Sequence, residues 1–507
     1  MNKVQLAVSF IAILASAACA APWYNGVQAE QKMRAELEVL AADKQSPFTI
    51  SVTRFDHGWL ASEAVSRVAL KADPSMHFDV RHQIAHVPDR TSWVHVHSVP
   101  QWSGELKAQL DYYFNGHPPL VVDTVYNYDG TRVSQFTSPA FTKPLPQRPE
   151  TTVTWGGMQG TLTADGDARY VATATVPSLA IDAGDGQATL TGLKLDGTWD
   201  AHGTAIDWQG DIKLAIAEFR YVTSLTQVAA KDIGAAAYQH SKGNNIQFGY
   251  TLHVGFGSSA HAGDASQTIS NAVLELEFDK LSKAAMAKYL SDFGNVEKLG
   301  MAPEARARLA AQLVMKLGTD LLRGSPELHL KKLGVETPSG SFLAHATVTF
   351  DGNNMTEMLM PPELLTRLKA KADVKVSGTL LRAQLQNRVR PQVEVALRQQ
   401  GGVSTEENIR AMSEKVIEDQ LKGLLDAGVL RATGPDYTVD AEFALGQMLV
   451  NGLPANQMLG GLLGAPPAPV TPQSPAPGSE AIAPTPASSA ALAERRPLAA
   501  VPPASLR

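Results

Sequence analysis

Residues 250–256 read Tyr-Thr-Leu-His-Val-Gly-Phe, with an apolar side chain at every second position. This period of two is typical of a half-buried β-strand, because successive side chains of a strand point to opposite faces. Residues 274–278, Leu-Glu-Leu-Glu-Phe, repeat the pattern. The two stretches therefore predict two strands, each with one face against an apolar layer.

The same alternation extends outward, from about residue 48 to about residue 280. Asp-Gly pairs, which favour tight hairpin turns, interrupt it at Asp129-Gly130, Asp165-Gly166, Asp185-Gly186 and Asp196-Gly197. Because no helical crossover separates the runs, consecutive strands are predicted to pair antiparallel.

Helical periodicity predicts the layer that covers this sheet. Helices are expected at about Val27–Lys44, Leu281–Phe293, Pro303–Arg323 and Thr405–Ala427, the last opened by a capping box of Ser404 and Glu407. The predicted class is α+β, a long antiparallel β-meander sheet partly covered by a few amphipathic helices. If the cover is incomplete, the open side becomes an apolar groove.

Composition excludes several classes of protein. The 507 residues carry a formal net charge of −6, which argues against a nucleic-acid partner, since such proteins present a basic face. The single Cys excludes internal disulfides and metal sites built from several thiolates. No cofactor-binding motif is present: the chain has no P-loop, and Gly255-Phe256-Gly257 lacks the third glycine of a dinucleotide site.

The N-terminus has the form of an export signal, with Lys3 followed by the apolar residues 4–21. Three interpretations stay open. Ala18-Cys19-Ala20 fits ordinary signal cleavage, residues 16–19 resemble a lipoprotein box with Cys19 as the lipidated residue, and the whole segment is long enough for an uncleaved anchor with Trp23 and Tyr24 at the interface.

The chain is accordingly predicted to have three parts. Residues 1–21 are the signal or anchor segment, residues 22–464 the β-rich body, and residues 465–507 a disordered tail rich in Pro and Ala. The single Lys on the N-terminal side of the apolar run predicts a cytoplasmic N-terminus and an exported body.

Several local strings resemble the YdgA-like family of bacterial envelope proteins, a domain of unknown function. They are Trp23-Tyr24-Asn25-Gly26, the run from Arg54 to Ser62, His86-Val87-Pro88 and Asn451-Gly452. The resemblance covers residues 22 to about 464. It implies an inner-membrane anchor and a large periplasmic body, and it supplies no catalytic residues.

Histidines are concentrated between residues 77 and 97, at His77, His82, His86, His95 and His97. On a strand, His82 and His86 are about 13 Å apart, too far for one metal ion. His95 and His97 share a face, but no acidic ligand is fixed by spacing. The five are therefore interpreted mainly as polar residues at a sheet surface, and no metal site is predicted.

The run His57-Gly58-Trp59 predicts a bend in the strand. Gly58 permits it, and Trp59 is expected to be buried under the sheet. The alternative is a corner that faces a ligand or partner.

Three functions fit the sequence, and none of them assigns a catalytic residue. The first is a membrane-tethered periplasmic protein that acts by binding or scaffolding, with a homo-oligomer as one form. The second binds lipid or another hydrophobic ligand along an apolar groove of the sheet. The third is a cell-envelope hydrolase, for which His86, His95 and His97 are the residues to test.

Overall fold

The computed structural model describes residues 26–31, 33–35, 48–71, 73–86, 89–166, 169–201, 208–262, 266–298, 301–353, 355, 361–399 and 405–455. The first half consists of strands, interrupted by helices α1 (residues 26–31 and 33–35) and α2 (Gly104–Phe114). The strands are β1 (Phe48–Asp56), β2 (Ala61–Leu70), β3 (His77–Ala85), β4 (Ser92–Gln101), β5 (Val121–Asn127), β6 (Thr131–Ser138), β7 (Phe141–Leu145), β8 (Arg148–Trp155), β9 (Met158–Asp165), β10 (Arg169–Asp182), β11 (Gly186–Ala201), β12 (Trp208–Thr223), β13 (Thr226–Lys242), β14 (Asn245–His261) and β15 (Gln267–Ser282).

Helices and strands alternate in the second half. The helices are α3 (Lys283–Lys298), α4 (Pro303–Arg323), α5 (Pro361–Arg367), α6 (Gly378–Gln399) and α7 (Glu406–Asp426). The strands are β16 (Glu327–Thr337), β17 (Gly340–Phe350), β18 (Leu368–Ser377), β19 (Arg431–Thr433), β20 (Asp436–Ala444), β21 (Gln447–Val450) and β22 (Leu453–Pro454).

All strands belong to one antiparallel sheet in which most strands pair with their sequence neighbours. The hairpin β7–β8 departs from this order: β6 pairs with β9, and β8 pairs with the last residues of β10. At the far end β18 pairs with β20, whose other edge takes both β19 and β21. The sheet is open, and its antiparallel meander is the arrangement that the period-two pattern predicted for residues 48–280.

The sheet has one apolar face. Residues directly opposite each other in antiparallel strands point to the same side, so the strand register identifies that face. One continuous row of such partners defines the apolar face: Phe55, Ala64, His82, Ser98, Val122, Phe136, Gly160, Ala174, Leu195, Leu214, Ala235, Leu252, Leu274, Leu333, Ala344, Val374 and Val439.

The opposite side of the sheet is polar. The row displaced by one residue defines the polar face: Asp56, Glu63, Gln83, His97, Asp123, Gln135, Thr161, Thr173, Asp196, Lys213, Ala236, Thr251, Glu275 and Lys332. A sheet with one apolar and one polar side requires a second layer, or a ligand, on the apolar side alone.

Helices cover the apolar face at its two ends. Ala29 and Met33 of α1 pack with Ala64, Ile84 and Val94 at one end. At the other end, α6 and α7 pack around Val389, Val393, Ile417 and Leu421, with Tyr437 of β20 against them. Between these ends, large apolar side chains on this face remain 36% to 48% exposed: Leu195, Ile212, Leu214, Tyr250, Leu252 and Leu333. These side chains leave the middle of the apolar face exposed.

The structure tests the predicted bounds of one helix and the positions of several predicted turns. Helix α4 has the predicted bounds, and Gly130 and Gly166 adopt positive φ in predicted turns. The prediction of a turn at Asp196-Gly197 is wrong, because both residues lie inside β11. A Cβ on Gly197 would lie 3.1 Å from the Trp199 ring, closer than an ordinary van der Waals contact, so glycine allows the ring to lie near the strand.

Two other predictions need correction or lie outside the described residues. Thr405 caps α7, since its side chain accepts a hydrogen bond from the Asn408 N–H at 3.3 Å, and Ser404 of the expected capping box lies outside the described residues. Residues 1–21, with Cys19, and the tail 465–507 lie outside the described ranges. Among the residues that the structure describes, no helix combines the length and apolar character needed to cross a bilayer.

Candidate functional site

A cavity of about 480 Å³ lies on the apolar face between α1 and strands β1–β6. Its walls are mainly apolar: Ala29, Met33, Ile50, Val68, Val80, Ile84, Trp93, Val96, Val122 and Tyr126. Polar groups enter it from neighbouring strands: Ser66, His82, Ser98, Thr124, Arg132 and Ser134. An apolar cavity with a few converging polar groups is the usual form of a small-molecule site.

His82 is the central polar group of this cavity. Its Nε2 lies 2.7 Å from Ser66 Oγ and its Nδ1 lies 2.8 Å from Ser98 Oγ, so both ring nitrogens are hydrogen-bonded to serines of the flanking strands. Burial lowers the pKa of His82 to about 4. The imidazole is therefore neutral at pH 7, and its two nitrogens offer one donor and one acceptor.

The chain Ser66–His82–Ser98 resembles a nucleophile, a base and an orienting group, but its surroundings do not suit acyl transfer. Ser66 pairs with Val52 on one side and with Val80 on the other, so its backbone belongs to the sheet ladder. Acyl transfer requires N–H donors aimed at the developing oxyanion. Backbone N–H groups of an interior strand are already committed to neighbouring strands. The arrangement favours binding over covalent chemistry.

A second buried histidine anchors the edge of the cavity. His86 is fully buried, and its Nε2 lies 3.0 Å from Ser62 Oγ. A Cβ on Gly26 of α1 would come within 2.9 Å of His86 Cε1, so the helix backbone lies directly against the ring. His57 of the β1–β2 connection is hydrogen-bonded through Nε2 to the Glu30 carboxylate of α1. Three of the strings noted in the sequence thus meet at one point.

His95 and His97 lie on the polar side of the sheet, away from His82 and His86. His97 Nδ1 lies 2.7 Å from Asp123 Oδ1, and His95 Nε2 lies 2.7 Å from Ser92 Oγ. The surface interpretation is confirmed for these two and is wrong for His82 and His86, which alternate onto the buried face. Within the described ranges, no group of three or more His, Cys, Asp or Glu side chains is arranged to hold a metal ion.

A charged cluster on the polar side has no local signal in the sequence and was not predicted. Glu277, 7% exposed, accepts hydrogen bonds from the Tyr238 hydroxyl and from Lys331 Nζ. Burial alone would raise the pKa of Glu277, but the hydrogen bonds from Lys331 and Tyr238 outweigh it and lower that pKa to about 2. The three residues are far apart in sequence, and only the register of β13 to β16 brings them together.

The open middle of the apolar face contains a second cavity, of about 390 Å³. Leu252, Val254, Leu274, Leu333 and Phe342 are among the residues that line it. It belongs to the same face as the His82 cavity, because the row from His82 to Leu333 is continuous. The apolar face therefore joins a covered cavity at one end to an open surface in the middle.

A family model described as bacterial protein of unknown function (DUF945) matches residues 1–457. The chain belongs to the DUF945 family. The match spans the whole β-rich sheet and both cavities, so the amphipathic sheet described here is the body of a DUF945 protein. The narrower YdgA-like assignment is compatible with this membership and stays a prediction. No curated protein and no solved structure matches the sequence significantly.

Proposed function

We propose that this protein is an exported, membrane-tethered envelope protein that binds lipid acyl chains along the apolar face. The observation that carries the proposal is the continuous apolar row, which is covered at both ends and exposed from β11 to β16. Apolar area of this kind is unfavourable in water and is typical of a binding surface. Export and tethering rest on the apolar segment 4–21 and its flanking Lys3.

The dimensions of the open surface suit an acyl chain. Neighbouring strands are about 4.8 Å apart, so the six strands from β11 to β16 extend over roughly 24 Å. One leaflet of a bilayer contributes about 15 Å of hydrocarbon, which is the depth covered by one lipid chain. An acyl chain lying across the strands would therefore fit within the exposed stretch.

The expected affinity is moderate. Covering the exposed remainder of six large apolar side chains contributes roughly 4–7 kcal/mol before the cost of association. A ligand held this weakly exchanges readily, which suits a protein that carries or presents lipid rather than storing it.

The test is the lipid content of the purified full chain, measured by native mass spectrometry and by extraction with organic solvent. Leu252→Lys places a charge on the apolar face, and Thr251→Lys places the same charge one residue away on the polar face. We expect Leu252→Lys to reduce bound lipid at least fivefold and Thr251→Lys to leave it unchanged. Wild-type protein free of lipid in repeated preparations, or equal losses in the two variants, would contradict the proposal.

A further inference from the structure

The connection between β1 and β2 exposes two large apolar side chains at the end of the strands. Trp59 is 59% exposed and Leu60 is 53% exposed, so the expected burial of Trp59 under the sheet is wrong. Tyr128, in the turn between β5 and β6, lies at the same end of the strands and is also 59% exposed. β2 and β5 are three strand spacings apart, roughly 14 Å.

This tip is fixed to the beginning of α1. The His86 N–H donates to the Leu60 carbonyl at 3.0 Å, and the His86 ring lies against Gly26. His57, two residues before Trp59, pairs with Glu30 of the same helix. The tip and the first turn of α1 are therefore held together by contacts on both sides of the connection.

The sequence before α1 brings this tip close to the apolar segment. Gly26 lies only five positions after Ala21, the end of the apolar run. Even a fully extended chain of that length reaches only about 18 Å. If residues 4–21 lie in a bilayer, the beginning of α1, and the tip bound to it, must lie near the bilayer surface.

We propose that the β1–β2 tip contacts the membrane surface, with Trp59 and Leu60 inserted among the lipid head groups and Tyr128 beside them. Trp and Tyr favour this interface because their rings combine an apolar body with one polar group. Such a contact would orient the sheet, with the cavity under α1 at the membrane-proximal end. The partner is thus a lipid bilayer rather than another protein.

The test uses the full chain reconstituted in phosphatidylcholine vesicles with brominated acyl chains, which quench tryptophan at close range. The difference in emission between wild type and Trp59→Phe isolates the contribution of Trp59 from that of the other tryptophans. A matched reporter is Leu225→Trp, in the turn between β12 and β13, because Leu225 is 60% exposed at the opposite end of the strands.

We expect brominated lipid to quench more than half of the Trp59 contribution and less than a tenth of the emission added by Leu225→Trp. Equal quenching at the two positions would overturn the proposal, as would a Trp59 contribution that is insensitive to brominated lipid. An unquenched Trp59 whose exposure falls with protein concentration would assign the tip to self-association instead. Leu252→Lys leaves the tip intact, so the lipid-binding proposal and this one fail separately.

Discussion

Gly26, in α1, lies against the ring of the buried His86. A Cβ on Gly26 would come within 2.9 Å of Cε1, 3.1 Å of Nε2 and 3.2 Å of Nδ1, so the helix backbone covers the imidazole face. The contact joins the first helix to the end of β3, and His86 also bonds Ser62 of β2. The close approach of helix and sheet therefore depends on the missing side chain.

We expect Gly26→Ala to destabilise the protein by roughly 1–3 kcal/mol, because the ring and the helix must move apart to admit one methyl group. The measurement is the free energy of unfolding in urea. Gly294→Ala is the matched control: Gly294 is also helical, and a Cβ added there would meet no neighbouring side chain or strand within 4 Å. That variant should be more stable than wild type by about 0.5–1 kcal/mol, since alanine favours helix. Similar losses in both variants would contradict the account.

His82 should make stability depend on pH. Its pKa is about 4 in the folded protein, below the ordinary value of 6.5, because the ring is buried. The unfolded chain therefore takes up a proton first, and stability is lost as the pH falls from about 6.5 towards 4. We expect His82→Gln to remove roughly 1–3 kcal/mol of this loss. The measurement is the free energy of unfolding of wild type and His82→Gln at pH 7 and at pH 4.5. An equal loss between the two pH values in both proteins would rule the mechanism out.

Glu277 should contribute to stability over a lower pH range. Its pKa is about 2 in the folded protein against an ordinary value of 4.5, so its contribution is complete above about pH 4.5 and is lost as the pH falls towards 2. Removing the Lys331 ammonium should cost roughly 1–2 kcal/mol at pH 7, because Glu277 would remain buried with one partner fewer, although solvent screens the half-exposed ammonium.

The variants that test this cluster are Lys331→Met and Lys332→Met, compared by urea unfolding at pH 7 and pH 3. Lys332 is an exposed neighbour that lies opposite Glu275 instead of Glu277. At pH 7 we expect a lower free energy of unfolding in Lys331→Met and not in Lys332→Met. At pH 3 the difference between Lys331→Met and wild type should be smaller. If Lys332→Met loses as much, the effect comes from general surface charge and not from the Glu277 contact.

The period-two pattern predicted the two-faced sheet because it depends only on residue alternation, as at Leu252 and Thr251.

Three helices were not predicted. Pro391 lies inside α6, and a proline there normally ends a helix, so packing against α7 overrides the local signal. The burial of His82 likewise depends on α1 closing over the strand. The sequence shows that His82 shares a face of its strand with Val80 and Ile84, but not that a helix lies above them.

Asn451 and Leu445 form a natural pair of turn residues for a final prediction. Each precedes a glycine in a tight turn, at Leu445-Gly446 and Asn451-Gly452, and all four residues have positive φ. Leu445 is 73% exposed, whereas Asn451 is buried. The Asn451 side chain donates to the carbonyls of Gly428 and Val429 at 2.8 and 2.9 Å and accepts from the Asp440 N–H at 2.9 Å.

We expect Asn451→Ala to cost roughly 2–4 kcal/mol, because it leaves buried carbonyls without their donor and places a Cβ residue without local hydrogen bonds at positive φ. Leu445→Asn should have the opposite sign, a gain of up to about 1 kcal/mol, since asparagine tolerates this conformation better than leucine. Both are measured by urea unfolding. A loss in Leu445→Asn would contradict the turn-geometry argument, whereas a loss at Asn451 that exceeds the gain at Leu445 would assign the excess to the three hydrogen bonds that tie the end of α7 to the last strands.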